Sequence, residues 1–402
     1  MSRAFLLIMD SVGIGGALDA DKFGDQGSNT LGHIARECAA GRADIGRKGV
    51  LKLPNLCQLG LGSAAKLATG ALPAGLTKNP NACFAAANEV SNGKDTPTGH
   101  WELTGVPVPF DWHYFPDTQP CFPEDKIKEF IRRAELPGIL GDKHASGLKI
   151  IAEFGEEHMQ TGKPICYTSG DSVFQIAAHE QSFGLARLLE ICRIAAEIFH
   201  PMMVGRVIAR PFIGTDKTGF QRTPNRHDYA ISPPDDTLCD RVVAAGGQVL
   251  AVGKIADIFS NRGISQVFKG KDDMALVDHT VALMDKARNG DLVFANYVEF
   301  DSLYGHPRDV AGYARALEKF DARLPEILAG LRQDDLLVIS ADHGNDPTWH
   351  GSEHTRERVP VLLTGPNIAP ANLGQIAFAD VGETIASHLG LAKGKHGENI
   401  ID

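Results

Sequence analysis

Three aspartates and three histidines in this 402-residue chain stand where their types could bind metal. Asp10 closes the run AFLLIMD, Asp301 and His306 lie five residues apart in DSLYGH, Asp342 and His343 are adjacent in ADHG, and His354 ends DPTWHGSEH. Carboxylate oxygens and imidazole nitrogens with no cysteine among them could ligate two divalent cations. That mixed donor set suits manganese, zinc or iron better than calcium, with magnesium less natural. Taken singly, each residue has an ordinary use, since an aspartate after a strand often caps a helix and a lone histidine is more often surface or satisfied core. Taken together they do not, because three uncompensated acids at one edge of a buried sheet repel one another unless cations lie between them. Asp346 and His350, in the same loop as His354, are candidates to support ligands from behind, with a solvated loop as the competing reading.

A hydroxyl joins this set through the stretch GKDTPTGHWE, residues 93–102. Pro97 fixes its own φ and pushes Thr96 toward an extended conformation, which places Thr96 at a helix N-cap with proline in the first helical position. Backbone N–H groups and the positive end of the helix dipole would stabilise a phosphoryl group on the Thr96 oxygen. A threonine hydroxyl is a poor nucleophile at neutral pH, and metal coordination is one way to activate it. Plain capping is the competing use of this residue. Thr98 is the rival hydroxyl, disfavoured because it would sit inside the helical turn. Other motifs fail: SVGIGGAL carries Leu18 where a dinucleotide loop needs its third glycine, and around SNGKDT the residues Asn88 and Asp95 stand where a phosphate loop needs glycine and Ser or Thr. No G-x-S-x-G elbow occurs.

The elements that must position these residues are short apolar runs at 4–10, 291–301 and 335–344, each suited to a buried strand and each reaching an acidic end. Ligands of an open parallel sheet gather outside the carboxyl ends of its strands, where Asp10, Asp301 and Asp342 would converge. Between the later two runs, Val310, Tyr313, Leu317, Phe320, Leu324, Ile327 and Leu331 repeat at spacings of three and four, the apolar stripe of a long helix. GGQVLAVG before KIADIF, and VPVLLTG before FADVGETIASHLGL, repeat the strand-then-helix order of a mainly parallel sheet covered by helices on both faces. The fold class expected is α/β. The middle of the chain differs: amphipathic helices at 123–135, 145–159 and 183–199 alternate with short strands such as PICYTS and GRVIARPFIG. Turn-rich edges at 105–123 and 214–236 bound this stretch. The expected division is a core at 1–106 and 229–402 interrupted by a smaller inserted α+β cap domain at 107–228. A chain of 402 residues, 43% hydrophobic, is long enough for both.

Charge narrows the partners. Fifty acidic against forty basic residues give a net charge of -10, and no basic run reaches five, so the long-range field repels nucleic acid and anionic membranes. The seven cysteines are odd in number and scattered without a C-x-x-C pair, which fits reduced thiols and a cytoplasmic location. The apolar run at 4–9 is too short for a signal core, and nowhere do eighteen apolar residues follow one another, so a soluble chain without a targeting segment is expected.

The motifs MDSVGIG, GKDTPTGHWE, YTSGDSVFQIAAHE, GRVIARPFIG, RTPNRHDYA, ADHGNDPTW and EHTRERVP together resemble the phosphopentomutase family of the alkaline phosphatase superfamily, from about residue 4 to the end of the chain. The resemblance implies an alkaline-phosphatase-like core and an isomerase that interconverts ribose 1-phosphate and ribose 5-phosphate, and the 2-deoxy sugars, through a phosphothreonine and a sugar bisphosphate. Two Mn2+ ions per chain are implied, one held by Asp301, His306 and His354 and the other by Asp10, Asp342 and His343, with Thr96 the phosphorylated residue between them. Substrate contacts are implied for Ser169, Asp171, Arg206, Ile208 and Lys254, with Arg210 and Arg222 as weaker candidates. Arginine suits phosphate and a carboxylate suits sugar hydroxyls. The partner implied is a small-molecule pentose phosphate, with ribose 1,5-bisphosphate or glucose 1,6-bisphosphate as the priming cofactor. A metal-dependent phosphatase or another phosphosugar mutase of the superfamily is the alternative. The oligomeric state stays open, a monomer included.

Overall fold

RAFLLIM carries no alternation of polar and apolar residues because both faces of the strand it forms are covered; β1 (Arg3–Met9) is buried along its whole length. The computed structural model describes residues 2–401 apart from Asn79 and Asp171. After β1 and β2 (Cys83–Asn88) come β3 (Leu140–His144), β4 (Ile165–Thr168), β5 (Val173–His179), β6 (Arg206–Thr215), β7 (Gly219–Arg222) and β8 (His227–Ala230). The last six are β9 (Val249–Val252), β10 (Gln266–Phe268), β11 (Leu292–Tyr297), β12 (Asp335–Ser340), β13 (Val359–Thr364) and β14 (Asn372–Ala377). The chain forms two compact units, one of residues Met1–Pro109 with Pro233–Asp402, the other Phe110–Ser232.

In the first unit the strands described are ordered β10-β9-β11-β1-β12-β13-β2-β14. From β10 to β12 every neighbour is parallel, as the strand-then-helix order predicts. VPVLLTG departs from that expectation: β13 runs antiparallel to both β12 and β2. The reason lies in residues 341–358, which hold no helix among the described residues; without a crossover element the chain can only return antiparallel. The α/β class with a mainly parallel sheet holds. The long helix Val310–Ala329 buries Tyr313, Leu317, Phe320, Leu324 and Ile327 of the expected stripe, while Leu331 lies past its end.

The second unit holds a sheet ordered β3-β4-β5-β6-β7, with β8 pairing β6. The helices Glu124–Arg133 and Leu185–Phe199 close over an apolar cluster that includes Phe122, Phe130, Phe174 and Phe199. No helix among the described residues is long and apolar enough to cross a membrane. All seven cysteines are free and buried.

Candidate metal centre

Register brings the acids to one edge. Ile8 of β1 pairs with Asn296 of β11 on one side and Ser340 of β12 on the other, so the three strands end level and release Asp10, Asp301 and Asp342 together. Asp301 and His306 then lie in and just after a π-helical turn, Phe300–Gly305. The wide turn lets His306 N donate to the Asp301 carbonyl at 3.0 Å, an i to i+5 bond that brings residues five apart onto one face. His306 Nε2 stands 3.1 Å from Asp301 Oδ2 as a result. A bridge between Gly344 and Thr355 folds the following loop back and returns His354 to the site. Its ring stacks on His343 with centroids 3.9 Å apart and lies 4.9 Å from His306.

The ligand atoms fall into two groups, Asp301 with His306 and His354, and Asp10 with Asp342 and His343. Within the second group, His343 Nδ1 donates to the Gly344 carbonyl at 3.1 Å, which leaves Nε2 with its lone pair facing Asp10 Oδ1 at 3.5 Å and Asp342 Oδ2 at 3.3 Å. Those two oxygens and His354 Nε2 are buried without a hydrogen-bond partner among the described residues. His100 Nδ1 does lie 3.1 Å from Asp342 Oδ2, but it is committed to the Thr96 carbonyl at 2.9 Å. The lone pairs of Asp10 Oδ1, Asp342 Oδ2 and His343 Nε2, facing one another in a buried space, are unfavourable without a cation. Donors on one ion at about 2.1 Å stand about 3.0–3.4 Å apart at octahedral or tetrahedral angles, so the spacing fits two divalent ions.

Electrostatics agree with that demand. Asp10 is pushed well above its ordinary pKa by burial first, then by the charges of Asp342 and Asp301. Burial also works to raise Asp301, but the His354, His306 and His343 rings outweigh it and hold the carboxyl well below its usual range. Burial pushes His343 down to about 4, so its ring is neutral at pH 7 and its Nε2 lone pair is available. The hydrogen bond with Asp301 carries His306 up to about 9; an ion bound there must displace that proton.

Thr96 opens the helix Thr96–Leu103, and its Oγ1 is 3.2 Å from His343 Nε2. The cap differs from the expectation by one residue. Asp95, not Thr96, is the N-cap: its side chain accepts from Thr98 N at 3.1 Å and from Thr98 Oγ1 at 2.7 Å. Pro97 tolerates either frame because the first turn has no N–H partner to lose. With Asp95 capping, the Thr96 hydroxyl is spared that task. Thr98 is fully buried, its hydroxyl spent on Asp95.

Other expected residues fall in several places. Lys254 is exposed at the N-cap of the helix Ile255–Ile258, and its charge acts on Asp10. In the second unit Ser169 follows β4, and Arg206 opens β6 opposite Val173, the first residue of β5, so both lie at one end of that sheet. Arg206 Nη1 is 3.7 Å from Asp228 Oδ2, and Ile208 is buried two residues further along β6. Arg210 Nε donates to Gln175 Oε1 at 3.1 Å, and Arg222 ends β7. Asp171 lies outside the described residues. Asp346 accepts from Asn29 N at 3.0 Å and from Thr348 N at 2.9 Å, while His350 Nε2 meets the Gly24 carbonyl at 3.3 Å.

Several residues at the site escaped the sequence reading. Asn296 Nδ2 donates to Asp10 Oδ2 at 2.8 Å, Asn345 Nδ2 to Asp301 Oδ1 at 2.7 Å, and Ser11 N to Asp342 Oδ1 at 3.0 Å. Each occupies one oxygen of a carboxylate and so aims the other. Two carried a signal: Asn296 is a lone polar residue inside the apolar FANYV, and His100 sits four residues after Thr96, on the same helix face.

Fold and donor set together define an α/β metalloenzyme. A family model described as Metalloenzyme superfamily matches residues 2–393. The chain is 57% identical over 406 residues to the Phosphopentomutase of Chelativorans sp. (strain BNC1), covering 100% of this chain and 99% of that one. It is 55% identical over 406 residues to the Phosphopentomutase of Sinorhizobium medicae (strain WSM419), covering 100% of each. Among solved structures it is similar to the PH0037 protein from Pyrococcus horikoshii, at 13% identity and a TM-score of 0.49 over 99% of both chains. With such relatives matched end to end, the chain belongs to the phosphopentomutase family: a metal-dependent isomerase.

Proposed function

We propose that the chain interconverts ribose 1-phosphate and ribose 5-phosphate, and the 2-deoxy pair, through a phosphothreonine at Thr96. The observation that carries this reading is the placement of the Thr96 hydroxyl, half-buried at the start of a helix and 3.2 Å from the one ring nitrogen of His343 that keeps its lone pair. Asp301, His306 and His354 hold one cation in this reading, and Asp10, Asp342 and His343 the other. Two Mn2+ ions there would neutralise charge on the transferring phosphoryl oxygens and favour the deprotonated Thr96 oxygen.

In the first transfer the bond from phosphorus to Thr96 Oγ1 breaks while a bond from phosphorus to a sugar hydroxyl forms, and in the second the bond from phosphorus to the other sugar oxygen breaks while the bond to Thr96 Oγ1 re-forms. The Oγ1 atom keeps the bonding electron pair, and the proton lost by the sugar hydroxyl is balanced on that oxygen, the net exchange being reversed in the second transfer. The bisphosphate so made turns over and returns its other phosphoryl group to Thr96. Ser169, Asp171, Arg206, Ile208 and Lys254 are assigned to the sugar phosphate, with the unit Phe110–Ser232 acting as a cap that excludes water from the phosphothreonine. Ribose 1,5-bisphosphate or glucose 1,6-bisphosphate would prime Thr96, and the free, buried cysteines support a cytoplasmic setting.

The test is incubation with Mn2+, a trace of glucose 1,6-bisphosphate and ribose 5-phosphate. Ribose 1-phosphate is the expected product, with one phosphate on the Thr96 peptide by mass spectrometry. Thr96→Ala is expected to lower kcat on the order of 10⁴-fold or more. Inorganic phosphate as the main product would replace the mutase with a phosphatase, and full turnover by Thr96→Ala would remove the threonine from the chemistry.

A further inference from the structure

The stretch EHTRERVP contributes His354 to the metal site, and two residues later it buries a full guanidinium. Arg356 is 2% exposed, and all five of its N–H donors are engaged. Nε donates to Asp19 Oδ1 and Nη2 to Asp19 Oδ2, each at 3.0 Å. Nη2 also donates to the Glu89 carbonyl at 2.8 Å, and Nη1 to Glu89 Oε2 and to the Gly93 carbonyl, the last at 2.6 Å. Its own backbone N donates to Asp25 Oδ2 at 2.8 Å, the oxygen that Lys94 Nζ reaches at 2.7 Å. One guanidinium thus grips residues 89 and 93 of the irregular segment that runs from β2 to Thr96.

The same short piece of chain is fixed to the metal ligands. Thr355 exchanges both backbone hydrogen bonds with Gly344, at 2.8 and 3.1 Å, directly after His343. His354, the Gly344 pairing and Arg356 are consecutive, so residues 354–356 tie a ligand of one candidate ion, the neighbour of a ligand of the other, and the segment presenting the hydroxyl. From the far side, Glu102 takes Val90 N and Ser91 N at 2.9 and 2.8 Å. Without the Arg356 fork, residues 89 and 93 would lose the anchors that tie this segment to residues 354–356.

We propose that Arg356 is a positioning residue for phosphoryl transfer: its fork on Asp19, Glu89 and Gly93 sets the distance from the Thr96 oxygen to the two ion sites. The inference rests on the reading of Thr96 as nucleophile and adds to it the group that fixes its approach. A lysine cannot reproduce the grip, since an ammonium has three donors and no planar fork. A displacement of about 1 Å at the reacting atom costs on the order of 100-fold in rate.

Two variants test this. Arg356→Lys keeps the charge and loses the fork. The double variant Glu89→Gln with Arg356→Met removes the grip without stranding a buried charge, which is the lesser hazard to folding; burial already pushes the Glu89 carboxyl well up against the pull of Arg356. Each is loaded with Mn2+, mixed with excess glucose 1,6-bisphosphate and quenched, and phosphate on Thr96 is followed by intact mass. The expected result is a rate constant about 100-fold below wild type at full final occupancy, with KM for ribose 5-phosphate within about threefold and two Mn2+ retained. A merely structural strut would lower the final occupancy and leave the rate constant of the folded fraction unchanged. Wild-type rate constants in folded variants, lost occupancy alone, or failure of both variants to fold each overturn the inference. A wild-type protein that never takes phosphate on Thr96 strikes the phosphothreonine reading and this inference with it; a phosphorylated wild type with equally fast variants strikes the inference alone.

Discussion

Asn296 is the last but one residue of the buried strand β11, itself fully buried, with its amide nitrogen on Asp10 Oδ2 and on the Nε2 of His100 at 3.3 Å. A polar side chain there costs free energy unless its bonds are made, so its presence points to what it holds. It holds Asp10 by Oδ2 and so leaves Oδ1 turned inward. In the proposed two-ion site, Asn296→Ala is therefore expected to weaken Mn2+ binding at Asp10, Asp342 and His343 about 10–100-fold. The ion at Asp301 should be unaffected. A calorimetric Mn2+ titration resolving two equivalents measures this, and unchanged affinity for both ions would count against the role given to Asn296. At this scale the residue types of the site were legible in the chain, because Asp and His are read directly, whereas the orienting amides were not, because an amide announces its purpose only through its partner.

The helix Thr96–Leu103 carries the hydroxyl on its first residue and rests on the strand edge through Gly99. A Cβ at Gly99 would lie 2.0 Å from the Asp342 carbonyl oxygen, a backbone atom that cannot step aside. The helix is able to approach the candidate metal ligands this closely because position 99 has no side chain. Gly99→Ala should push the whole element outward and lower kcat by at least about tenfold, with a smaller loss of thermal stability. Wild-type kcat in this variant would show that the close approach serves packing alone. The sequence placed a helix start here and missed its frame by one residue, since Asp95 and Thr96 are both good caps by type. Only the bonds from Thr98 to Asp95 choose between them. The antiparallel course of β13 was hidden for a similar reason: VPVLLTG reads as a buried strand in either direction.

Across the molecule, the unit that contains the site gathers three buried carboxylates, 1%, 6% and 0% exposed at Asp10, Asp301 and Asp342, at the ends of its central strands. Their repulsion is a cost of folding that bound cations offset, so ion binding and stability are linked. Mn2+ at about 100 times its dissociation constant adds roughly 2.7 kcal/mol per site. Removing it with EDTA is expected to lower the Tm by roughly 5–10 °C, followed by differential scanning calorimetry. Re-addition of Mn2+ should restore the transition. An EDTA-treated protein with an unchanged Tm would mean that the carboxylates are accommodated by their protein contacts alone.

What the chain by itself determined is local: apolar runs of strand length ending in acid, a helical stripe from Val310 to Ile327, and a threonine beside a proline among charged residues. Those signals survive in one dimension because strand and helix periods and turn residues act over a few positions. What only the tertiary structure decided is which atoms face one another. The register of Ile8 against Asn296 and Ser340, the unpaired oxygens of Asp10 and Asp342, and the fork of Arg356 on Asp19, Glu89 and Gly93 join residues hundreds of positions apart. Such contacts follow from strand order and crossover direction, and no local pattern in the sequence encodes them.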